Sequence, residues 1–578
     1  MKRLITLLLF FITSPSIAQD YFLANNGPYD PEIISPEAFL GYPVGSHHTR
    51  HDRIVAYFKE LASSSDKATI IQYGKTHEHR NLVILTITDP DNHQNLNQLR
   101  ERHLQVCDPD QNVSDFSGLP VFINLAYNVH GNEPSSSEAA LLTAYWLVAS
   151  QSDQVVNYQK NAVIMIDPTI NPDGRDRHSY WANMYKGNPL VADPRDAEHN
   201  EAWPRGRTNH YWFDLNRDWL LGINPESRGK LNWYHQWYPN VVTDFHEMGT
   251  NSTYFFEPMK AIGSKDPIMP KENYTTLNET FGRYFSEHLD KIGSLYFTKE
   301  AFDGTYPGYG SSYPDLQGGL GLLFEQASSR GHLQETPTGK LSFAFTIRNQ
   351  FTSSRATVQA GVENRELLHK YQKDFFSSAI SRAGQRKVKG YVFGDSKDEN
   401  RTRAFIDKLL LHRVKVYRLK TSVNKEGKSF QPSTSYVVPT QQRQYRMVQT
   451  MFETYKEYTD SVFYDASAWS VAHFYNMPFA SYTSGVQLGE QVTPESNQTK
   501  VPEVKQSDYA YLISWDDYFA PAVLSHLQQK GAIVNAGFKP FSIAIDGGAK
   551  AYGYGTLMLP VAKQKISKDS LHSLLLEA

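Results

Sequence analysis

Three residues have the types and spacing of a catalytic metal centre. His130 and Glu133 lie three positions apart, so both side chains can face one point at the turn where a helix is expected to begin. A histidine and a carboxylate from one short segment, joined by a distant histidine such as His246, are the three protein ligands typical of catalytic zinc. An isolated His-x-x-Glu also arises by chance, and His246 also fits a hydrogen-bonded core histidine. The combination predicts one Zn²⁺ per chain.

A fourth residue could serve as the base of a hydrolytic reaction. Zinc lowers the pKa of bound water toward about 7, but a base must still accept a proton and return it to the leaving group. Glu325 follows the apolar run 322–324, which would carry its carboxylate into a cleft. Burying a carboxylate is costly unless the group has a partner or a role. Glu247 is the alternative base, although adjacent side chains on extended backbone point in opposite directions and His246 is its neighbour.

The string Asp214-Leu215-Asn216-Arg217-Asp218 offers a site for an anion. The Arg217 guanidinium can bind a carboxylate through two hydrogen bonds, and Asn216 adds a donor. A surface turn with a structural ion pair is the alternative interpretation. Arg205 and Arg207 precede the string and form a cationic loop that could face an oxyanion developing in the reaction.

Four short apolar runs of the buried-strand type must position these groups. They lie at 119–125, 162–166, 241–243 and 321–324. A polar cluster follows each run, and ligands of open α/β sheets bind at the carboxyl ends of strands. Helical patterns such as 135–148 alternate with the runs, which predicts a mixed, largely parallel sheet flanked by helices. The polar, aperiodic segment 175–213 is predicted to be a functional loop.

The composition is that of an ordinary globular protein, and the N-terminal segment predicts export. Its 578 residues suffice for two to four domains, and a net charge of −3 gives no general affinity for nucleic acid. Residues 1–18 have a charged start, an apolar run at 4–12 and small residues before a cut after Ala18, as in a signal peptide. A buried N-terminal helix is the alternative. The pattern predicts a secreted or periplasmic bacterial protein without a membrane span after the cut.

In order and spacing, these strings resemble the zinc carboxypeptidase family M14, of which carboxypeptidase A is the familiar member. The similarity runs over residues 29–368 and begins with Gly74-Lys75-Thr76 and Arg80. It implies a zinc carboxypeptidase domain at 19–380. In that domain His130, Glu133 and His246 would bind zinc. Asp214 would orient His130, and Glu325 would be the general base.

The resemblance also implies how a substrate is held. Asn216 and Arg217 would bind the terminal carboxylate of a peptide, and Arg207 would stabilise the oxyanion. The family's mobile tyrosine, which caps the substrate, is assigned to Tyr313. The alternatives for that tyrosine are Tyr306 and Tyr309.

Residues 381–578 are predicted to form a second, smaller α/β domain. A fresh β-α-β pattern begins there, and this region resembles the glutamine-amidotransferase-like domain appended to some bacterial M14 members. That reaction needs a nucleophilic cysteine, and the single cysteine, Cys107, lies in the other domain. Residues 373–428 carry fifteen Lys and Arg against six Asp and Glu, which indicates a solvated basic face or a docking surface for an anionic partner. The helical pattern at 570–578 has no clear cap and is compatible with a fragment of a longer precursor.

The predicted function is removal of the C-terminal residue from peptides or proteins. A cell-wall (murein) peptide hydrolase of the same fold and an inactive, M14-shaped peptide-binding protein are the alternatives. The complete set of ligands, base and carboxylate-binding residues argues against the inactive form, because a binder need not keep all of them.

Overall fold

The computed structural model describes residues 21–24, 26–260, 268–453, 470–498, 503–545 and 548–578. The predicted signal peptide at 1–18 lies outside the described residues. The described chain divides into two compact units, one that extends to Phe376 and one that begins at Ser377. No helix in the described ranges has the length and apolar character needed to cross a bilayer.

An eight-stranded sheet forms the centre of the first unit. Its strands are β1 Ala68–Lys75, β2 Asn81–Ile87, β3 Val121–Ala126, β4 Ala162–Asp167, β5 Val241–Met248, β6 Tyr254–Phe256, β7 Tyr296–Phe297 and β8 Leu320–Ala327. Their order across the sheet is β1-β2-β4-β3-β5-β8-β6-β7. The four central strands β4-β3-β5-β8 are mutually parallel, whereas β1, β2 and β6 join antiparallel neighbours. The mixed, largely parallel sheet predicted from the sequence is therefore confirmed.

Burial explains why the central strands are continuous apolar runs. Every residue of β3 and β4 is buried, as expected for parallel strands covered by helices on both faces. The helices of the unit, with the one that leads into the second unit, are α1 Pro36–Leu40, α2 His51–Ser64, α3 Pro90–Gln94, α4 Leu96–Val106, α5 Ser135–Ala149, α6 Asp153–Asn161, α7 Pro172–Met184, α8 Pro225–Trp237, α9 Glu279–Lys291, α10 Ser312–Asp315, α11 Phe343–Glu363 and α12 Arg365–Gln385. Helix α5 is buried on all sides, which accounts for its lack of a polar face. A hairpin of β9 Leu333–Thr336 and β10 Gly339–Ser342 precedes α11.

The segment predicted as one long loop begins with a helix. Helix α7 covers its first ten residues, since Pro172 occupies the first turn and the side chain of Asn171 accepts a hydrogen bond from Gly174 N. The polar composition of the segment suggested an exposed loop, but a polar residue here is part of the buried helix face. Arg175 is buried and bonded to Glu138 and to the carbonyl oxygen of Thr49. After α7 the chain is irregular apart from the single turns at Ala197–His199 and Leu215–Arg217.

The second unit contains short strands in separate small sheets. The strands are β11 Gly390–Phe393, β12 Tyr417–Leu419, β13 Val423–Lys425, β14 Lys428–Phe430, β15 Tyr436–Pro439, β16 Phe479–Tyr482, β17 Leu488–Gln491, β18 Ala510–Ile513, β19 Asn535–Ala536, β20 Phe541–Ile545, β21 Gly548–Tyr552 and β22 Leu557–Pro560. The largest sheet has the order β16-β11-β15-β12-β17, and each strand is antiparallel to its neighbours in the sheet. The helices are α13 Glu399–Leu411, α14 Tyr445–Phe452, α15 Val471–Phe474, α16 Ala520–Gln529 and α17 Lys568–Glu577.

Candidate metal centre

A compact turn after β3 carries His130 and Glu133. The chain bends at Asn128, whose φ is 58°, and the side-chain nitrogen of Asn128 donates to the carbonyl oxygens of His130 and Glu133, each at 2.9 Å. Gly131 is required inside this turn, because a Cβ there would lie 2.1 Å from the backbone nitrogen of Arg175. The two hydrogen bonds from Asn128 and the close packing at Gly131 therefore set the direction of the His130 and Glu133 side chains.

Strands β5 and β8 bring His246 and Glu325 to the same region. The two residues are paired in register between neighbouring parallel strands, and side chains paired in this way point to the same face of a sheet. Strand β3 lies on the other side of β5, so His130 and Glu133 reach the same end of the sheet. Residues separated by almost 200 positions in sequence thus converge on one site.

Three candidate ligands meet at hydrogen-bonding distances. Nδ1 of His130 lies 2.9 Å from Oε1 of Glu133 and 3.1 Å from Nδ1 of His246. Nδ1 of His246 lies 3.0 Å from Oε2 of Glu133. All three residues are buried, and among the described residues they form the group with the proximity that a metal ion requires.

A carboxylate contacts the second nitrogen of each histidine ring. Asp214 Oδ1 lies 2.9 Å from Nε2 of His130, and Asp244 Oδ1 lies 2.8 Å from Nε2 of His246. Burial lowers the pKa of His246, but Asp244 and then Glu133 raise it well above its usual value. Without a metal ion, protons therefore occupy the ring nitrogens. With the Nε2 protons donated to the two aspartates, both Nδ1 lone pairs point at the shared site.

This donor set fits zinc. Two imidazole nitrogens and a glutamate, each histidine backed by a carboxylate, are a known three-ligand set for catalytic zinc. Bonds of about 2.0–2.2 Å at tetrahedral angles separate ligand atoms by roughly 3.3 Å, close to the 2.9–3.1 Å found between these atoms. Without a metal ion, ring protons hold these groups together, and a bound cation would take the place of those protons.

Arg207 reaches the same centre from the irregular loop. Its Nη2 and Nε donate to Asp214 Oδ2 at 2.9 and 3.2 Å, and its Nη1 donates to Glu133 Oε1 at 3.2 Å. The guanidinium is thereby fixed beside the candidate ligands.

A cavity of about 390 Å³, here called the cleft, opens next to the candidate ligands. Its lining residues include His130, Glu133, Arg207, Asn216, Arg217, His246, Tyr309 and Glu325. The Glu325 carboxylate has no hydrogen-bond partner among the described residues and remains available to a bound molecule. Burial raises the pKa of Glu325 to about 8, opposed by His246 and reinforced by Glu133.

The carboxylate of the alternative base, Glu247, is hydrogen-bonded to other residues of the protein. Its carboxylate accepts hydrogen bonds from the backbone nitrogen of Ser135 at 2.8 Å, from the Ser135 hydroxyl and from the Ser328 hydroxyl. Three donors occupy both oxygens, which leaves Glu325 as the better placed base.

Residues 54–313 match a family model described as zinc carboxypeptidase, Peptidase_M14.

Residues 54–313 form a peptidase M14 domain.

Solved structures similar to the chain include three carboxypeptidases. A metallo-carboxypeptidase from Burkholderia cenocepacia is 14% identical, with 55% of this chain and 69% of that chain covered and a TM-score of 0.37. The carboxypeptidase A of Helicoverpa armigera is 14% identical over 56% and 76%, with a TM-score of 0.35. A Pseudomonas aeruginosa metallo-carboxypeptidase in complex with (2-guanidinoethylmercapto)succinic acid is 14% identical over 55% and 69%, with a TM-score of 0.35. None of the curated protein sequences matches the chain.

Within the M14 domain, Arg217 faces the cleft and Asn216 is bonded to the protein. The Arg217 guanidinium lies over the Tyr309 ring, 4.6 Å from its centroid. Asn216 lines the cleft, but its Nδ2 lies 3.0 Å from His246 Nε2 and its Oδ1 accepts from Gly310 N at 2.7 Å. Asn216 is therefore in contact with a candidate ligand, a contact that the sequence did not predict.

The structure does not bring Tyr313 to the cleft of the M14 domain. Tyr313 is fully buried, and its hydroxyl lies 2.9 Å from Nε2 of His235. The short helix α10 turns this ring into the core, so the prediction of Tyr313 as the capping residue is wrong for this conformation. Tyr309 lines the cleft instead, and Tyr306 donates from its hydroxyl to the Arg217 carbonyl oxygen at 2.8 Å.

Asp244 is the functional residue that sequence reasoning passed over. Its position two residues before His246 on one strand places both side chains on the same face, and this alternation was the available signal. We expect Asp244→Asn to weaken zinc binding by about 10–100-fold, since a ring without its carboxylate partner is less basic and less firmly oriented. Competition with a chelator measures the effect. An unchanged affinity would show that Asp244 does not support His246.

Proposed function

We propose that this protein is a secreted zinc metallocarboxypeptidase that hydrolyses the C-terminal peptide bond of peptides or proteins. The observation that carries the proposal is the meeting of His130, Glu133 and His246 with Glu325 and Arg217 in one cleft. The signal-peptide pattern at 1–18 supports export.

Each residue has a stated task in this reaction. When bound, zinc would polarise the scissile carbonyl and lower the pKa of a water molecule. Glu325 accepts the proton of the attacking water at its carboxylate and donates it to the nitrogen of the leaving amine. Arg207 donates hydrogen bonds to the carbonyl oxygen as negative charge develops there.

Selection of the last peptide bond requires recognition of a free carboxylate. Arg217 supplies a planar guanidinium in the cleft, held against Tyr309, that can bind both oxygens of the substrate's terminus. Tyr309 is the proposed capping tyrosine because, unlike Tyr313, it lines the cleft.

Arg217→Gln is expected to lower kcat/KM for peptides with a free C-terminus by about 10–150-fold, the range for a lost hydrogen bond to a charged group. Arg217→Lys should recover only part of the loss, because an ammonium is a point charge without the bidentate geometry. Steady-state rates on matched free and C-terminally amidated peptides measure both effects. Equal cleavage of the two peptides by the wild type would identify an endopeptidase or amidase and contradict the proposal.

Two alternatives make different predictions for the same assay. A cell-wall peptide hydrolase of this fold would cleave cell-wall peptides faster than ordinary peptides with the same terminus. An inactive binder would hold peptides without turnover even when loaded with zinc. The uncommitted carboxylate of Glu325 favours an active enzyme, since a binder gains nothing from an unpaired carboxylate with a raised pKa.

A further inference from the structure

A second cavity of about 400 Å³ adjoins the cleft. Its lining residues include Asn132, Glu133, His199, Glu201, Arg205, Arg207, Glu247 and Arg330. Glu133 and Arg207 line both spaces, whereas Arg217 and Tyr309 line only the cleft. The candidate metal centre therefore lies at the junction between the two cavities.

The carboxylates of the second cavity are already bonded within the protein. Glu201 accepts from Asn132 Nδ2 at 2.8 Å and from Gly206 N at 3.0 Å, and lies 3.0 Å from His178 Nδ1. Burial raises the pKa of Glu201, but His178 and these donors lower it to about 2, so the carboxylate is ionised and matched. Glu247 is likewise occupied by Ser135 and Ser328.

Two arginines of this cavity lack such partners. Among the described residues, neither Arg205 nor Arg330 forms an ion pair, and the Arg205 guanidinium donates no hydrogen bond. The Arg330 guanidinium donates to the carbonyl oxygen of Asn132 at 3.5 Å. Since Arg207 is bonded to Asp214 and Glu133, the unmatched positive charge of the cavity belongs to Arg205 and Arg330.

The backbone holds both arginines in the left-handed region. Arg205 has a φ of 63° and Arg330 a φ of 58°. This conformation is uncommon for residues other than glycine and asparagine, and such positions concentrate at binding sites. Two unmatched guanidiniums from separate loops thus face one space beside the metal centre.

We infer that the second cavity binds a carboxylate on the substrate residue directly N-terminal to the scissile bond. The inference rests on the proposed function: with the terminal carboxylate at Arg217, the preceding residue must pass the metal centre and enter the other cavity. A guanidinium pairs with a carboxylate bidentately. The carboxylate belongs either to the side chain of an ordinary Asp or Glu residue or to the free α-carboxyl of a γ-linked glutamate.

The expected preference is about tenfold for glutamate over glutamine at this position. A hydrogen bond to a charged group sets the scale, and the exposure of Arg205 keeps the effect at the lower end. Salt should reduce the preference, because exposed charges are screened.

The test compares N-acetylated peptides that share one C-terminal residue and carry α-linked Glu, γ-linked Glu, Gln or Lys before it. In the wild type, kcat/KM should be about tenfold higher for a glutamyl peptide than for the Gln peptide, and lowest for Lys. The faster of the two glutamyl linkages identifies the source of the carboxylate. The double variant Arg205→Asn/Arg330→Asn should bring the Glu-to-Gln ratio close to one. Asparagine is chosen because it tolerates left-handed backbone.

Arg413→Asn is the matched control, since Arg413 is an exposed arginine with a φ of 60° outside the cavity. Arg413→Asn should retain the full Glu-to-Gln ratio. The double variant Arg205→Lys/Arg330→Lys should retain part of that ratio. If the double asparagine variant does not fold, the salt dependence of the wild type provides the test. Its Glu-to-Gln ratio should fall as NaCl is raised from about 0.05 to 0.5 M. A Glu-to-Gln ratio near one in the wild type would overturn this inference but not the proposed function. A ratio insensitive to both salt and substitution would do the same. Failure of the wild type to cleave any of these peptides would instead refute the proposed function.

Discussion

His246→Ala is expected to lose most of the bound zinc and, with it, turnover. The substitution removes one of three protein ligands and leaves Asp244 and Glu133 as carboxylates facing each other across an emptied space. Two buried anions without a cation between them are strongly unfavourable. Elemental analysis of the purified wild type should give close to one zinc per chain, against a small fraction of that in the variant.

His473→Ala is a suitable control for this experiment. His473 is an exposed histidine of the second unit, so its loss should leave the zinc content at the wild-type level. Unchanged zinc in His246→Ala would mean that the metal is bound elsewhere, and the assignment of all three ligands would fail.

Glu325→Gln should abolish most activity without changing the zinc content. The amide has nearly the shape of the carboxylate but cannot accept a proton from water. The expected fall in kcat is roughly 10²–10⁴-fold, the usual contribution of a general acid-base group. Because Glu325 makes no hydrogen bond to the candidate ligands among the described residues, the ligand geometry should persist.

Glu247→Gln distinguishes the two candidate bases. Its carboxylate is bonded to Ser135 and Ser328, so the substitution should affect stability more than proton transfer and should keep most of the turnover per folded molecule. Thermal unfolding and kcat, measured on both variants, separate these effects. An inactive Glu247→Gln beside an active Glu325→Gln would reverse the assignment.

The sequence by itself determined the candidate metal ligands and the strands that carry them. His130 and Glu133 are related by a three-residue spacing within one turn. His246 and Glu325 follow apolar runs of the buried-strand type. These are local relationships, set by the periodicity of the backbone and by the burial of apolar side chains. They survive in the folded chain because β3, β5 and β8 are neighbours in the order expected of an α/β sheet.

Only the tertiary structure decided which residues complete the site. The sequence could not select the capping tyrosine among Tyr306, Tyr309 and Tyr313. In the folded chain a short helix places Tyr313 against His235, whereas Tyr309 lines the cleft. The contacts of Asp244 and Asn216 with His246 likewise arise between groups fixed by different elements. Such contacts depend on side-chain direction after packing, which spacing along the chain does not specify.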